Sequence, residues 1–272
     1  MSQMCQLAGV SRATFYRTRE RKTSRSEEEC ALREDVEQIA LKWHSYGSRR
    51  IAAELGDQGW QVGRKRVQRI LRENGLLCLG RPTAWLATTD SKHQLPVFPN
   101  LAEGMEPTAV NQLWVTDITY IRLPQGFVFL AAILDAFSRK VIGWALKETL
   151  QATLCIETLE KALAARHFPQ GVIHHSDRGV QYCCKEYTAL LEKHRLRGSM
   201  ARKGNPYDNA KAESFWKTLK YEQVYRQDYQ TIHEARGDIG AFIDQIYNQK
   251  RLHSALGYRS PAAFEAGQGQ IT

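Results

Sequence analysis

The spacing of apolar residues changes twice along this chain. Up to about residue 79 the apolar positions recur at helical intervals between glycine-marked turns. Leu32, Val36, Ile39, Ala40 and Trp43 form one stripe. Ser48 is placed to cap a second helix with Ile51, Ala52 and Leu55 inside, and Gly56 and Gly59 bracket a turn. A third helix follows, with Val67, Ile70 and Leu71 on its buried face. A shorter pair precedes these: Ser2 to Ala8, a turn at Gly9, then Ser11 as N-cap of a helix carrying Arg12, Thr14, Phe15, Tyr16 and Arg17. Region 1–79 therefore reads as all-α, with two helix-turn-helix candidates. Residues 80–108 show no period and contain Pro82, Pro96, Pro99 and Pro107, the mark of a linker. From 109 to 272, strand-like runs alternate with helical patterns, which predicts an α/β domain. Its strands are expected near 113–123, 126–135, 139–146, 171–176 and 196–200, and its helices near 149–165, 182–194, 209–224 and 233–248.

Charge narrows the class of partner. The 272 residues carry a formal net charge of +9, with a pI near 9.3, and the basic residues cluster. On the third helix Lys65, Arg69 and Arg72 lie at i, i+4 and i+7, opposite the apolar stripe, and Arg49 and Arg50 open the helix before it. A basic face opposite a packed face suits a helix laid on DNA. Arg195, Arg197, Arg202 and Lys203 form another basic run, followed by the turn Gly204-Asn205-Pro206. The six cysteines make no C-x-x-C pair and read as free thiols of a reducing cytosol. No signal-peptide pattern opens the chain, and the longest apolar run, Phe127 to Leu134, is too short to span a bilayer; no membrane association is expected.

Three carboxylates sit where carboxylates are costly. Asp117 interrupts the strand-like run Leu113 to Tyr120, Asp177 ends the short apolar run from Gly171 beside Gly179, and Glu213 lies in a helix whose apolar side carries Phe215 and Leu219. Brought together, such groups repel and raise one another's pKa, and divalent cations relieve that repulsion. An all-oxygen donor set favours Mg²⁺ or Mn²⁺ over zinc. His174 and His175 have no partner ligands at zinc spacing, so His175 is read as a hydrogen-bonding support for Asp177. Asp135 is read as ordering the turn before Ser138 and Arg139, and Asp208 as a cap of the Glu213 helix. Trp114, Trp144, Phe215 and Trp216 are read as core.

Several long words in fixed order carry a family resemblance. They are Trp114-x-Thr116-Asp117-Ile118-Thr119, Leu134-Asp135-x-Phe137-Ser138-Arg139, His175-Ser176-Asp177-Arg178-Gly179, and Gly204-Asn205-Pro206-Tyr207-Asp208-Asn209-Ala210. Near the end stands Tyr247-Asn248-x-x-Arg251-x-His253-x-x-Leu256-Gly257-Tyr258-x-Ser260-Pro261, and near the start Tyr46-Gly47-x-Arg49-Arg50-Ile51. Thirty-five residues lie between Asp177 and Glu213, and Lys220 follows Glu213 by seven. Over nearly its whole length the chain resembles the downstream-frame (OrfB-type) transposases of IS-three family insertion sequences. These are DDE transposases with a retroviral-integrase-like catalytic core.

The resemblance implies an RNase H-like fold, with a five-stranded mixed sheet flanked by helices after the helix-turn-helix region. Asp117 would lie on the first strand, Asp177 just after the fourth and Glu213 on a helix after the fifth. It implies metal-dependent DNA cleavage and strand transfer, with Asp117, Asp177 and Glu213 as catalytic and metal-holding residues for two Mg²⁺ ions, Mn²⁺ being a substitute. Lys217, Lys220, Arg202 and Lys203 would contact DNA near the scissile bond, and Arg49, Arg50, Lys65, Arg69 and Arg72 elsewhere. Expected partners are element ends, target DNA, further copies of the chain, and an upstream-frame (OrfA-type) protein, separate or joined by frameshift. The expected place is the bacterial cytoplasm, at the nucleoid. The first helix-turn-helix begins almost at Met1, as if its leading helix were clipped. Two alternatives stay open: a non-catalytic helix-turn-helix regulator or accessory protein, and a nuclease of the same fold that hydrolyses without joining.

Overall fold

The computed structural model describes residues 11, 28–77, 97–202 and 209–268. The chain divides into two units at Gly80, and the short first helix-turn-helix candidate lies, apart from Ser11, outside the described residues.

In the first unit, helix α1 (28–42) is followed by α2 (Ser48–Asp57) and α3 (Arg64–Glu73). The stripes meet as their spacing predicts: Leu32, Val36 and Ile39 of α1, Ile51 and Leu55 of α2, and Val67, Ile70 and Leu71 of α3 are all buried. Polar ties between elements fix the angles, among them Trp60 Nε1 to Asp35 Oδ2 at 2.7 Å and Asn74 Nδ2 to Glu37 Oε1 at 2.7 Å. Ser48 is not the cap expected from the sequence. Gly47 holds the N-cap position, with no side-chain cap, and Ser48 is the first helical residue.

The second unit is built on five strands: β1 (Leu113–Leu123), β2 (Gly126–Asp135), β3 (Val141–Lys147), β4 (Ile173–Ser176) and β5 (Arg197–Met200). Their order is β3-β2-β1-β4-β5, with β1, β2 and β3 antiparallel and β4 and β5 parallel to β1. Helix α4 (Ala152–Ala165) makes the crossover from β3 to β4, and α5 (Val180–Cys183) and α6 (Lys185–Lys193) lead on to β5. After β5 come α7 (Ala210–Glu222), α8 (Ile232–Ala241) and α9 (Pro261–Gln268). This is a mixed sheet with helices on both faces, the RNase H-like architecture.

The two-residue period of β1 sorts its side chains between two cores. Leu113, Val115 and Ile121 pack with Phe215 and Leu219 of α7 and with Ile239 of α8, while Trp114 faces the opposite layer with Leu159 and Leu163 of α4 and Leu191 of α6. Gly143 lets β3 and α4 approach closely, because a β-carbon there would lie 2.5 Å from the Thr158 carbonyl oxygen.

Other details of this unit differ from the sequence expectation. The helix expected at 182–194 is broken by Cys184, whose extended backbone (φ −71°, ψ 153°) caps α6. The helix expected at 233–248 passes into a π-helical turn over Phe242–Tyr247, which turns Phe242, Ile243 and Tyr247 into the core. The described end of the 80–108 segment also packs against this unit. Phe98 lies against Gly198, where a β-carbon would come within 2.8 Å of its ring. Leu101 donates its backbone N–H to Ser199 Oγ at 2.8 Å, and Leu101 and Met105 join the core. Proline spacing signals irregular backbone here, and irregular backbone can still be docked.

Candidate active site

The site lies at a fork in the sheet. Strand β4 pairs with β1 only through Leu113, Trp114 and Val115, which face Ile173, His174 and His175. Asp117 and Asp177 each stand two residues beyond the last of these pairs, Val115 and His175, so the register carries both to the same level, Asp117 on β1 and Asp177 just past the end of β4. This is the edge where β1 lies between an antiparallel and a parallel neighbour, the topological switch of an open α/β sheet.

Asp117 is held by neutral donors. Its Oδ1 accepts from Ile118 N–H at 2.8 Å and its Oδ2 from the indole Nε1 of Trp216 at 3.1 Å. Burial, followed by the negative charge of Asp177 and, less strongly, of Glu213, pushes the Asp117 carboxyl up to about 7, against these two hydrogen bonds. Asp177 Oδ1 accepts from Gly179 N–H at 2.9 Å, and a β-carbon on Gly179 would stand 3.0 Å from that oxygen, so glycine leaves the carboxylate its room. Asp117, Tyr120, Phe129, Leu150, Asp177 and Val180 line a cleft of about 260 Å³.

Helix α7 brings the third acid. Glu213, Trp216 and Lys220, at i, i+3 and i+7, share one face, and the Trp216–Asp117 hydrogen bond fixes that face toward β1. Glu213 Oε2 stands 3.9 Å from Lys217 Nζ. The Lys220 ammonium lies 4.9 Å from the centre of the Tyr120 ring; partial burial lowers its pKa while the charge of Asp117 opposes that shift. Among the described residues, no three acid, histidine or cysteine side chains are grouped tightly enough to hold an ion as they stand. Asp117 and Asp177 meet at the cleft, and Glu213 waits one turn before Trp216, engaged with Lys217. The donor set still fits a divalent cation: every candidate ligand is a carboxylate oxygen, and the electrostatic strain on Asp117 is of the sign a cation removes.

The supporting residues sort clearly. Asp135 behaves as its sequence position predicts: it is fully buried, its Oδ1 accepts from the backbone N–H groups of Phe137 and Ser138, and its Oδ2 accepts from that of Asn111 at 2.7 Å. His175 departs from the support of Asp177 that its sequence position suggests. It pairs through Nδ1 with Ser199 Oγ at 2.9 Å, tying β4 to β5. His174 Nε2 meets Tyr187 OH at 2.7 Å, and burial lowers its pKa to about 3, so it is a neutral core group. Trp216 is more than the core residue its sequence context suggests. It is buried, yet its indole N–H reaches Asp117, and only the tertiary fold reveals a donor 99 residues away. Arg251 and Glu222 form a buried bidentate pair, Nε to Oε2 at 2.8 Å and Nη2 to Oε1 at 2.7 Å, which anchors the end of α7; no spacing rule points to it.

The expected DNA contacts divide. Arg202 pairs with Glu103 at 2.7 Å, while Lys203 and the expected cap Asp208 lie outside the described residues. In the first unit Arg49, Lys65 and Arg72 are exposed, and Arg50 lies over the Tyr46 ring. Arg69 bonds Glu29 at 3.0 Å and approaches Glu73 at 3.7 Å.

Comparison with known proteins gives this arrangement its class. Residues 107–206 and 194–261 match integrase core domain families, and residues 27–82 match an HTH-like domain. The chain is 42% identical to the insertion element IS600 uncharacterized 31 kDa protein of Shigella sonnei, over 98% of this chain and 99% of that one. It is 36% identical to the transposase InsF for insertion sequence IS3A of Escherichia coli strain K12, over 96% and 92% of the two chains. Among solved structures, the simian T-cell lymphotropic virus intasome in complex with a PP2A regulatory subunit is similar at 15% identity and a TM-score of 0.49, covering 85% of this chain and 74% of that one. The fold is that of an integrase-core polynucleotidyl transferase carrying an HTH-like module. The chain belongs to the IS3 family of insertion-sequence transposases. Among the described residues, no helix is long and apolar enough to cross a membrane.

Proposed function

We propose that Asp117, Asp177 and Glu213 together hold two Mg²⁺ ions, with Mn²⁺ as a substitute, and that this site cuts element ends and joins them to target DNA. The observation that carries the reading is the meeting of Asp117 and Asp177 at the fork, with the helix bearing Glu213 hydrogen-bonded to the first of them. When bound, the ions supply activation of the attacking water or 3′-hydroxyl and stabilisation of the departing oxygen. The chain's own part is positional. Trp216 and Ile118 orient Asp117, and Gly179 orients Asp177. Lys217 releases Glu213 when a DNA phosphate replaces that carboxylate as its partner, and Glu213 then turns to join the two aspartates. Lys220, about 10 Å from Glu213 along the helix, meets a flanking phosphate.

The remaining parts follow the same reading. Residues 1–79 bind DNA through Arg49, Arg50, Lys65, Arg69 and Arg72, and 80–108 connect them to the catalytic core at 109–272. Arg202 and Lys203 contact DNA, Arg202 leaving Glu103 to do so. The working form is a homo-oligomer on DNA in the bacterial cytoplasm, with an upstream-frame protein as partner or fusion.

The test is a strand-transfer assay with labelled element ends and Mg²⁺, with and without the upstream-frame protein. Joined products are expected from the wild type. Asp117→Asn, Asp177→Asn and Glu213→Gln should each lower joining by at least about 10²–10³-fold, the scale of losing one essential electrostatic group, while DNA affinity stays near wild type. Normal joining by any one variant removes that residue from the assignment. Nicks without joined products would make the protein a nuclease.

A further inference from the structure

Beside the cleft, on the same unit, lies a cluster of aromatic rings that neither the core nor the proposed chemistry uses. Tyr120 lines the cleft and meets Phe127 edge-to-face at 5.2 Å. Tyr221 meets Tyr225 in the same manner at 5.6 Å. Lys220, next to Tyr221 on α7, reaches the Tyr120 ring and so brings the two pairs side by side. Partial burial and the neighbouring Tyr221 and Tyr120 hydroxyls hold the Tyr225 phenol above its ordinary range, and Lys220 lies over Tyr120. Phe127 is 52% exposed and Tyr225 63% exposed, although burying such rings is normally favourable. Cations surround them: Arg122 is the cross-strand partner of Phe127, and both Arg122 and Arg226 are exposed.

We propose that this ledge, with Phe127 and Tyr225 as its outer rings, stacks an unpaired nucleobase of the DNA strand that runs into the cleft. Exposed ring faces interleaved with cations match the two parts of a single strand, a π-face and a phosphate. A base stacked within a duplex offers neither face to a side chain, so the ledge selects a nucleotide that has left the helix. Its position supplies the occupant: Tyr120 belongs both to the ledge and to the wall of the Asp117–Asp177 cleft, so a strand bound there continues onto the rings. Holding one displaced base next to the scissile phosphate would fix the backbone at the point of cutting. The inference rests on the DNA-cutting reading of the cleft.

The test uses the full chain and two fluorescent probes of arbitrary sequence. One is a duplex with a short single-stranded flank and 2-aminopurine at the junction, and the other is the same duplex with a paired, blunt end. The wild type should prefer the flanked duplex by on the order of tenfold, the effect of one stacked base, and should quench the 2-aminopurine. Phe127→Ser with Tyr225→Ser should lose both the preference and the quenching while keeping the blunt-duplex affinity; both side chains are at the surface, so the fold survives. Tyr225→Phe, which keeps the ring, should retain both. A wild type that binds both duplexes equally, or a double variant that keeps preference and quenching, overturns the ledge and leaves the cleft assignment standing. A wild type that binds neither duplex overturns both.

Discussion

In the HTH-like unit, Glu29 bonds Arg66 at 2.5 Å and Arg69 at 3.0 Å near the surface, and these guanidinium groups lower its pKa. In the integrase-core unit, Asp117 meets another carboxylate and two neutral N–H groups, and its pKa is raised to about 7. The same unit buries Arg251 and Glu222 as a tight bidentate pair. A carboxylate is thus met in three ways: paired in water, paired in the core, and crowded at a cleft. Water screens the first and makes it cheap to break. Burial makes the second a source of rigidity, because neither charge can find water once its partner is gone. The third raises the cost of charging Asp117 in the folded chain, which is the strain that the proposed cation would relieve.

Breaking the buried pair should have the largest effect on stability. Arg251→Ala leaves Glu222 buried and unpaired, and a loss of about 3–5 kcal/mol is expected in chemical denaturation. Replacing both partners with apolar residues of similar volume, Arg251→Met with Glu222→Leu, should restore much of that loss. Equal losses in the single and double variants would mean that geometry, not an abandoned charge, is what matters there.

The crowded acid predicts a pH dependence of opposite sign to that of an ordinary paired carboxylate. Asp117 releases its proton near 3.8 when unfolded and near 7 when folded. Between these values the folded chain binds the extra proton, so its contribution to stability falls as pH rises from about 4 to about 7 and is level above. In metal-free buffer Asp117→Asn should remove that slope and be the more stable protein at pH 8, by on the order of a few kcal/mol. Added Mg²⁺ should stabilise the wild type at that pH and leave the variant nearly unchanged. A variant with the wild-type slope would show that Asp117 is not strained.

The surface pairs should give the smallest effects. Lys65→Ala with Arg72→Ala should weaken DNA binding and flatten its salt dependence by about one unit of slope for each phosphate that is no longer neutralised. Arg69→Ala should do less, because Glu29 and Glu73 already compete for that guanidinium. Glu29→Gln should tighten DNA binding and cost under about 1 kcal/mol of stability. An Arg69→Ala effect as large as that of the Lys65/Arg72 pair would mean that DNA strips Glu29 away without penalty.

The strands are legible because their side chains keep a two-residue period: β1 and β2 span 113–123 and 126–135, as the pattern predicts. The break at Cys184 and the π-helical turn at Phe242 are not, since both keep helical composition and change only the backbone path. The three acids stand out because each sits in an apolar or turn context that a carboxylate avoids. Trp216 does not, because a tryptophan on a helix's buried face reads as core whether or not its N–H finds a partner.

By itself, the order of residues determined which elements form, which face of each is buried, and which acids are out of place, because these depend on local periodicity and on the cost of burying charge. Tertiary structure alone decided that Asp117 and Asp177 come level at a fork where β4 stops pairing, that Trp216 donates to Asp117, and that Arg69 turns its charge to Glu29. Those facts depend on strand register and on contacts between distant segments, and a hydrogen bond between residues 99 apart leaves no trace in the spacing of either.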